Sequence, residues 1–326
     1  MNNSFNRRNI YLITGCAGFV GFHLCKALLD AEAVVIGFDN INDYYELGLK
    51  HSRLDILNDY NSFTFIKGDL ADTATVDACF KEHKPQIVVN LAAQAGVRYS
   101  IDNPRAYMDS NITGFFNILE ACRNNPVEHL IYASSSSVYG NQQKTPFSTD
   151  DDMRSPISLY AATKASNELM AYTYSHLYGI PATGLRFFTV YGPYGRPDMA
   201  YYGFTKKIFA GETIKIYNNG DMYRDFTYID DIISAIVKML CSPPNGHKLY
   251  NIGNNKPENL LYFIETLEEL IGINAKKEFQ PMQLGDVYQT YADTQPLYED
   301  FGFKPNTDIR TGLSKFIVWY KEYYEL

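Results

Sequence analysis

Gly15-Cys-Ala-Gly18-Phe-Val-Gly21 closes the apolar run Tyr11–Thr14 and opens an amphipathic stretch. Strand, glycine turn and helix in that order leave few folds open. The first glycine permits a tight turn, the second a close approach of backbone to a diphosphate, and the third close packing of helix on strand. The helix start then offers free N–H groups and a favourable dipole to phosphate oxygens. Asp39 ends the next apolar run 18 residues past Gly21, close to the distance at which an acid bonds the hydroxyls of an adenosine ribose. Asn40, not arginine, follows it, and a carboxylate there repels a 2′-phosphate, so the pattern favours NAD over NADP. Asp69, in Lys67-Gly-Asp-Leu70, is a candidate acceptor for the adenine amine.

Short apolar runs alternate with amphipathic stretches through the first half of the chain. The expected strands are Ile10–Thr14, Val34–Phe38, Thr64–Lys67, Ile87–Asn90, Leu130–Ala133 and Ala182–Phe187. Between them, Ile112, Phe115, Phe116, Leu119 and Cys122 have the spacing of one buried helical stripe. Strands apolar on both faces and alternating with helices imply a doubly wound α/β fold, a Rossmann-type parallel sheet with ligands at the carboxyl ends of its strands. After about residue 188 glycine and proline cluster in Tyr191-Gly-Pro-Tyr-Gly-Arg-Pro197 and the alternation becomes irregular. Residues 1–188 are therefore expected to form the dinucleotide-binding domain. Residues 189–326 are expected to form a smaller α/β substrate-binding lobe, with helices at Glu258–Gly272 and Thr311–Tyr324. One further strand near residues 248–253 should rejoin the first sheet, so the boundary is interleaved.

Composition removes several classes of function. A net charge of −8 argues against a nucleic-acid surface. The five scattered cysteines form no CxxC pair, which favours reduced thiols, and the six histidines show no metal-ligand spacing, so no metal site is expected. Arg7-Arg8 precedes an apolar stretch as in an export signal, but Gly15, Gly18, Gly21, His23 and Lys26 interrupt it. No run approaches the length of a membrane span. A cytoplasmic protein without membrane contact is expected. The 27 tyrosines suit sites where a ring packs and its hydroxyl stays bonded.

Tyr160-Ala-Ala-Thr-Lys164 sets a phenol and an ammonium one helical turn apart on one face. The ammonium favours the phenolate, which makes the tyrosine a candidate general base for a hydroxyl. Tyr202-Gly-Phe-Thr-Lys206 has the same spacing but no serine run upstream, and is read as packing and surface. Tyr160, by contrast, lies about 25 residues beyond Ser134-Ser135-Ser136-Ser137-Val138-Tyr139-Gly140.

Together these features resemble the extended short-chain dehydrogenase/reductase superfamily from residue 9 to about 324. The carrying motifs are the glycine turn, Asn90-Leu-Ala-Ala93, the serine run with Val138-Tyr-Gly140, and Tyr160-x-x-x-Lys164. More specific signals are Gln94-Ala-Gly-Val-Arg98, Leu185-Arg-Phe-Phe-Thr-Val-Tyr-Gly-Pro193, Arg224-Asp-Phe-Thr-Tyr-Ile-Asp-Asp231 and Gly285-Asp-Val287. Within the superfamily the chain is similar to the NAD-dependent nucleotide-sugar epimerases, in particular the family that interconverts UDP-glucuronate and UDP-galacturonate. The resemblance implies Ser135, Tyr160 and Lys164 as catalytic. It implies a dinucleotide lined by Gly15, Gly18, Phe19, Val20, Gly21, Asp39, Asn40, Asp69, Leu70, Leu91, Ala92, Ala93, Asn111, Ser134, Tyr160 and Lys164. For the UDP-sugar it implies Arg98, Ser135, Ser136, Ser137, Tyr160, Thr189, Arg196, Lys215, Ile216, Tyr217 and Arg224. Arg224 is the leading candidate for the diphosphate, Arg196 a second, and Arg98 either touches substrate or forms a structural ion pair. Arg186 is expected to form a core salt bridge. A homodimer through the helices at Tyr107–Arg123 and Leu159–Tyr178 is also implied.

The serines separate this chain from its relatives. Related 4,6-dehydratases carry Asp-Glu before Val-Tyr-Gly and related decarboxylases Ser-Glu, whereas this chain has Ser136-Ser137. Without carboxyl groups there, elimination lacks its proton carriers and nothing repels a substrate carboxylate. Thr189 replaces the asparagine usual in neutral-hexose epimerases, and Pro281-Met-Gln-Leu-Gly-Asp286 lacks their arginines. A 4-ketouronate is a β-keto acid, so alcohols that hold its carboxylate near the ring-carbonyl plane would suppress loss of CO2. The alternatives are a 4-epimerase of another UDP-hexose, a UDP-glucuronate decarboxylase, or a non-catalytic NAD sensor. The last tends to lose the tyrosine that is present here.

Overall fold

The computed structural model describes residues 6–153, 155–282 and 287–326. In chain order it begins β1 (Ile10–Thr14), α1 (Phe19–Asp30), β2 (Val34–Asp39), α2 (Leu47–Asn58), β3 (Phe63–Lys67), α3 (Thr73–His83) and β4 (Ile87–Asn90). Two short helices follow, α4 (Tyr99–Asp102) and α5 (Pro104–Tyr107), then a π-helical turn at Met108–Thr113 and α6 (Gly114–Asn124). Next come β5 (His129–Ser135), a 3-10 turn at Ser136–Tyr139, α7 (Leu159–Tyr178) and β6 (Ala182–Phe187). The remainder holds β7 (Thr189–Tyr191), α8 (Ala200–Phe209), β8 (Thr213–Ile216), β9 (Tyr223–Tyr228), α9 (Ile229–Leu240) and β10 (His247–Ile252). It closes with β11 (Pro257–Asn259), α10 (Leu260–Ile271), β12 (Lys276–Phe279), α11 (Gln295–Phe301) and α12 (Ile309–Tyr323).

Two compact units emerge. The first runs through Gln142, resumes over Thr149–Phe187 and takes in Ile233–Asn251. Its sheet has seven strands in the order β10-β6-β5-β4-β1-β2-β3. The reversal between β1 and β4 is the switch point at which a doubly wound sheet opens a crevice beyond its strand ends. Leu12, Ile36, Val88 and Leu130 from the strands pack with Phe80, Phe115 and Leu119 from the helices. Each such burial contributes roughly 1.5–3 kcal/mol.

The stripe expected on α6 is displaced. Phe115, Leu119 and Cys122 are buried together with Ile118, but Ile112 is only half-buried and Phe116 is 43% exposed. The π-helical turn at Met108–Thr113 rotates less per residue than an α-helix, so the phase read across residue 112 does not carry into α6.

The second unit comprises Gln143–Ser148, Phe188–Ile232 and Ile252–Leu326. Its sheets are β11-β9-β7 and β12-β8. Many tyrosines are used here as core: Tyr201, Tyr202 and Tyr320 surround Phe316 at ring separations of 4.9–5.8 Å. Tyr202 is buried with its hydroxyl 2.6 Å from that of Tyr324, while Lys206 is exposed, so this second Tyr-Lys pair is packing and surface. Among the described residues no helix is long and apolar enough to cross a membrane, and no cluster of potential metal ligands forms.

Candidate active site

In the first unit the glycine turn is folded tightly on itself. Gly15 sits at φ +74°, and a Cβ there would lie 2.8 Å from the Ala92 nitrogen. A Cβ on Gly21 would lie 2.0 Å from the Gly15 carbonyl oxygen. Neither position admits a side chain, which leaves a backbone-lined cradle. α1 begins at Gly18 with no side-chain cap, and its first helical bond runs from Phe22 N–H to the Gly18 carbonyl at 3.0 Å. The N–H groups of Phe19, Val20 and Gly21 precede that bond and face the helix start.

Asp39 braces the same turn. Its buried carboxylate accepts from Ala17 N–H at 3.1 Å and Ile41 N–H at 2.8 Å. Burial pushes its pKa up, opposed by the Ile41 N–H and by Lys50. Asn40 donates to Asp69 at 3.0 Å, and the other oxygen of Asp69 accepts from Ala71 N–H at 2.9 Å. Leu70 is buried, and its carbonyl accepts from the Asn117 amide at 2.7 Å. Leu91, Ala92 and Ala93 are half-buried beyond β4. Thr14 Oγ1 fixes them, donating to Asn90 at 2.7 Å and accepting from Ala92 N–H at 3.1 Å.

Asn111 is buried in the π-helical turn. Its Oδ1 accepts from Gln94 N–H at 2.8 Å, and its Nδ2 donates to the Gln94 carbonyl at 3.0 Å and to Thr163 at 3.1 Å. The whole amide is used to tie the segment after β4 to α7. Ser134 likewise spends its hydroxyl on Glu168, at 2.5 Å.

Two cations were absent from the sequence reading. Arg53, fully buried on α2, donates from Nη1 to the Ala17 carbonyl and to the Tyr45 hydroxyl, each at 2.7 Å. Lys50 donates to the Asn42 carbonyl at 2.6 Å. Ala17 is thus held at its N–H by Asp39 and at its carbonyl by Arg53. The available signal was the spacing of Lys50, Arg53, Leu54 and Leu57 on one helical face.

The catalytic candidates gather at the end of β5 and the start of α7. Ser135 caps the 3-10 turn: its Oγ accepts from Ser137 N–H and donates to Ser137 Oγ, both at 3.1 Å. Ser136 and Ser137 are half-buried, and the turn Ser136–Tyr139 contains no carboxylate. Tyr160 occupies the first turn of α7, its ring edge-on to Tyr107 with centroids 6.0 Å apart. Lys164 is 3% exposed and donates to the Ala133 carbonyl at 2.8 Å. Burial lowers its pKa to about 8, against an opposing pull from Glu168. Arg186 forms a buried ion pair with Glu168 at 2.8 Å. Arg98, exposed, sits at the start of α4.

The second unit holds the remaining candidates. Thr189 begins β7 and is half-buried. Arg196 grips Asp198 with Nε at 3.0 Å and Nη2 at 2.5 Å. Lys215 is exposed on β8, but Ile216 is fully buried, so only its backbone is left for a ligand; Tyr217 is half-buried. Arg224 donates from Nη1 to the carbonyls of Tyr223 and Tyr288 at 2.9 and 3.1 Å. Its neighbour Asp225 accepts N–H bonds from Asn254, Asn255 and Ala292 at 2.6–3.1 Å, and burial raises its pKa to about 6. Gly285 and Asp286 lie outside the described residues.

A parallel sheet with a glycine cradle at its switch point and a Tyr-Lys helix beside a serine-bearing strand end defines a nucleotide-dependent short-chain dehydrogenase architecture. Residues 11–253 match the NAD dependent epimerase/dehydratase family, and the chain belongs to it. It is 43% identical to a probable UDP-glucuronate 4-epimerase of Rhizobium meliloti, over 96% of this chain and 97% of that one. It is 53% identical to the protein CapI of Staphylococcus aureus, over 96% and 99% of the two chains. A crystal structure of UDP-glucuronic acid 4-epimerase from Bacillus cereus, in complex with UDP-glucuronic acid and NAD, superposes with a TM-score of 0.90 at 34% identity. That alignment covers 97% of this chain and 100% of the other.

Proposed function

We propose that this chain interconverts UDP-glucuronate and UDP-galacturonate by reversible oxidation at C4 of the sugar. The observation that carries the reading is the serine turn: hydroxyls at Ser135, Ser136 and Ser137, with no carboxylate among them, on the unit that also carries Tyr160 and the buried Lys164. The relatives named for this activity support it.

The residues present fit NAD: the Gly15–Gly21 cradle and α1 start for the diphosphate, Asp39 for the ribose, and Asp69 near the adenine. The nicotinamide, when bound, supplies the two-electron acceptor and donor for C4. Tyr160 as phenolate takes the C4 hydroxyl proton, with Ser135 sharing it, and returns it after the 4-keto sugar has turned over. Lys164 as ammonium keeps that phenol acidic. Ser136 and Ser137 donate to the sugar carboxylate. Arg224, a forked donor, binds the diphosphate, with Arg196 and the Lys215–Tyr217 backbone as further nucleotide contacts. Thr189 and Arg98 are the remaining substrate candidates. We further propose a cytoplasmic homodimer, for which exposed Phe116, Leu169 and Tyr172 on α6 and α7 offer an apolar face.

NMR of the purified protein with UDP-glucuronate and, separately, UDP-glucose tests the reading. UDP-galacturonate from the first and no product from the second is expected. Equal turnover of both, or a UDP-pentose as main product, contradicts it.

A further inference from the structure

Along α7 the chemistry-bearing side chains recur every four residues: Tyr160, Lys164, Glu168. That spacing stacks them on one face, and the last two are each 3% exposed. Glu168 Oε1 accepts from Ser134 Oγ at 2.5 Å and from Arg186 Nε at 3.0 Å, while Oε2 accepts from Arg186 Nη2 at 2.8 Å. Arg186 is 1% exposed and also donates to the Tyr139 hydroxyl at 2.9 Å and the Met153 sulfur at 2.8 Å. A buried ion pair of this kind gives little net stability, because desolvation of both charges offsets their attraction, and apolar side chains of similar volume often serve as well. Folding alone is therefore a weak reason for its presence.

Its position gives a better one. Ser134 stands between Ala133, whose carbonyl receives Lys164 Nζ, and Ser135, which caps the serine turn. Glu168 thus grips the strand at the residue between the lysine's anchor and the candidate catalytic hydroxyl. It also supplies the negative charge next to the lysine on its own helix.

We propose that Glu168, held by Arg186, is a positioning residue for the reaction, keeping Lys164 protonated in a dry site and fixing the strand end that carries Ser135. The inference rests on the epimerase reading above. The groups around Lys164 leave Glu168 as the deciding charge. On α7 itself the other is Tyr160. β5 presents Tyr132 and the turn after it Tyr139, both pushed by burial toward the neutral form. β10 presents His247, whose pKa burial lowers. β6 presents Arg186, already bonded to Glu168. α5 presents Tyr107, its hydroxyl given to the Gly96 carbonyl at 2.5 Å. α4 begins at the exposed Arg98, and α6 carries Glu120, which accepts from Tyr174 further along α7. Without Glu168, burial of Lys164 is unopposed and the bare Arg186 pushes the same way. The ammonium is then lost at lower pH, and with it the acidity of Tyr160.

The test is the pH profile of kcat/KM for UDP-glucuronate in the NAD-loaded protein, together with the titration of Lys164 followed by NMR of ¹³Cε-labelled lysine. In Glu168→Gln the alkaline limb and the Lys164 titration should both move down by about 1 pH unit, the low end of what a close opposite charge contributes. Glu168→Asp should bring both part of the way back. If Glu168→Gln does not fold, as judged by thermal melting and NAD content, the double variant E168Q/R186M removes both charges and should show the same downward movement. A folded variant of either kind that keeps both at the wild-type pH overturns the inference. A wild-type protein with no turnover of UDP-glucuronate instead overturns the functional reading on which it stands.

Discussion

Lys164 is tied to Ala133: its Nζ donates to that carbonyl at 2.8 Å, so the cation of α7 and the strand ending in Ser135 are fixed to one another. The anchor keeps an ammonium dry at the point where a phenol has to be acidified. Burial lowers that ammonium's pKa to about 8, against an opposing pull from Glu168. The ammonium is present below that value and lost above it. Turnover should accordingly decline as pH rises through about 8, while the fold and NAD content are retained. Because the unfolded lysine keeps its proton up to its ordinary 10.5, this group's contribution to stability should rise with pH between about 8 and 10.5. A rate that remains flat to pH 10 would remove Lys164 from the role given to it.

Tyr160→Phe should leave the fold and the bound NAD intact, since the ring's contact with Tyr107 survives loss of the hydroxyl. Removal of a general base costs about 10²–10⁴ in rate. Steady-state kinetics and cofactor absorbance check both halves. Retention of full turnover would point to a different proton acceptor.

Ser136→Ala with Ser137→Ala should raise the share of UDP-pentose among the products. A 4-ketouronate whose carboxylate is no longer held can align its C5–C6 bond with the ketone and lose CO2. Product NMR gives the ratio directly. An unchanged ratio in a variant that still turns over would show that these hydroxyls do not restrain the carboxylate. Thr189→Ala extends the comparison to the start of β7.

Asp225→Asn should destabilise the protein by roughly 1–3 kcal/mol at neutral pH, because an amide nitrogen cannot accept the backbone N–H bonds that the carboxylate now receives. Chemical denaturation measures this. In the wild type the folded pKa of about 6 lies above the ordinary 3.8, so the folded state holds this proton more tightly than the unfolded state does. This group's contribution should be fully present below about pH 4 and be lost as pH rises toward 6.

All six runs named in the first half are strands. β1, β2, β4, β5 and β6 were readable because they are buried along nearly their whole length and largely apolar, whereas β3, half-buried to exposed, was readable from the alternation around it. β10 was readable only from Leu249–Ile252, since its first three positions are half-buried or exposed. β12 was not: Lys-Lys-Glu-Phe is exposed at every position, and its pairing with β8 leaves no mark in the local sequence. The π-helical turn was equally hidden, since Asn111 is fixed there by Gln94 and Thr163, partners 17 and 52 residues away. Among the candidate site residues, the glycines, Asp39, Tyr160 and Lys164 stood out through residue type at fixed spacing. Lys50 and Arg53 did not, because a charged residue reads as surface until its backbone acceptors are known. At Ile216 the sequence did not show that the side chain is buried in the core, which leaves the backbone for any ligand contact.

β10 pairs with β6, yet 59 residues separate the end of the one from the start of the other. During synthesis the outer margin of the large sheet therefore stays unsealed until the ribosome has passed residue 252. No contiguous fragment from the amino terminus that stops short of it can be a finished dinucleotide-binding module. Gene fusions or truncations that treat the chain as two beads in series will cut through this return.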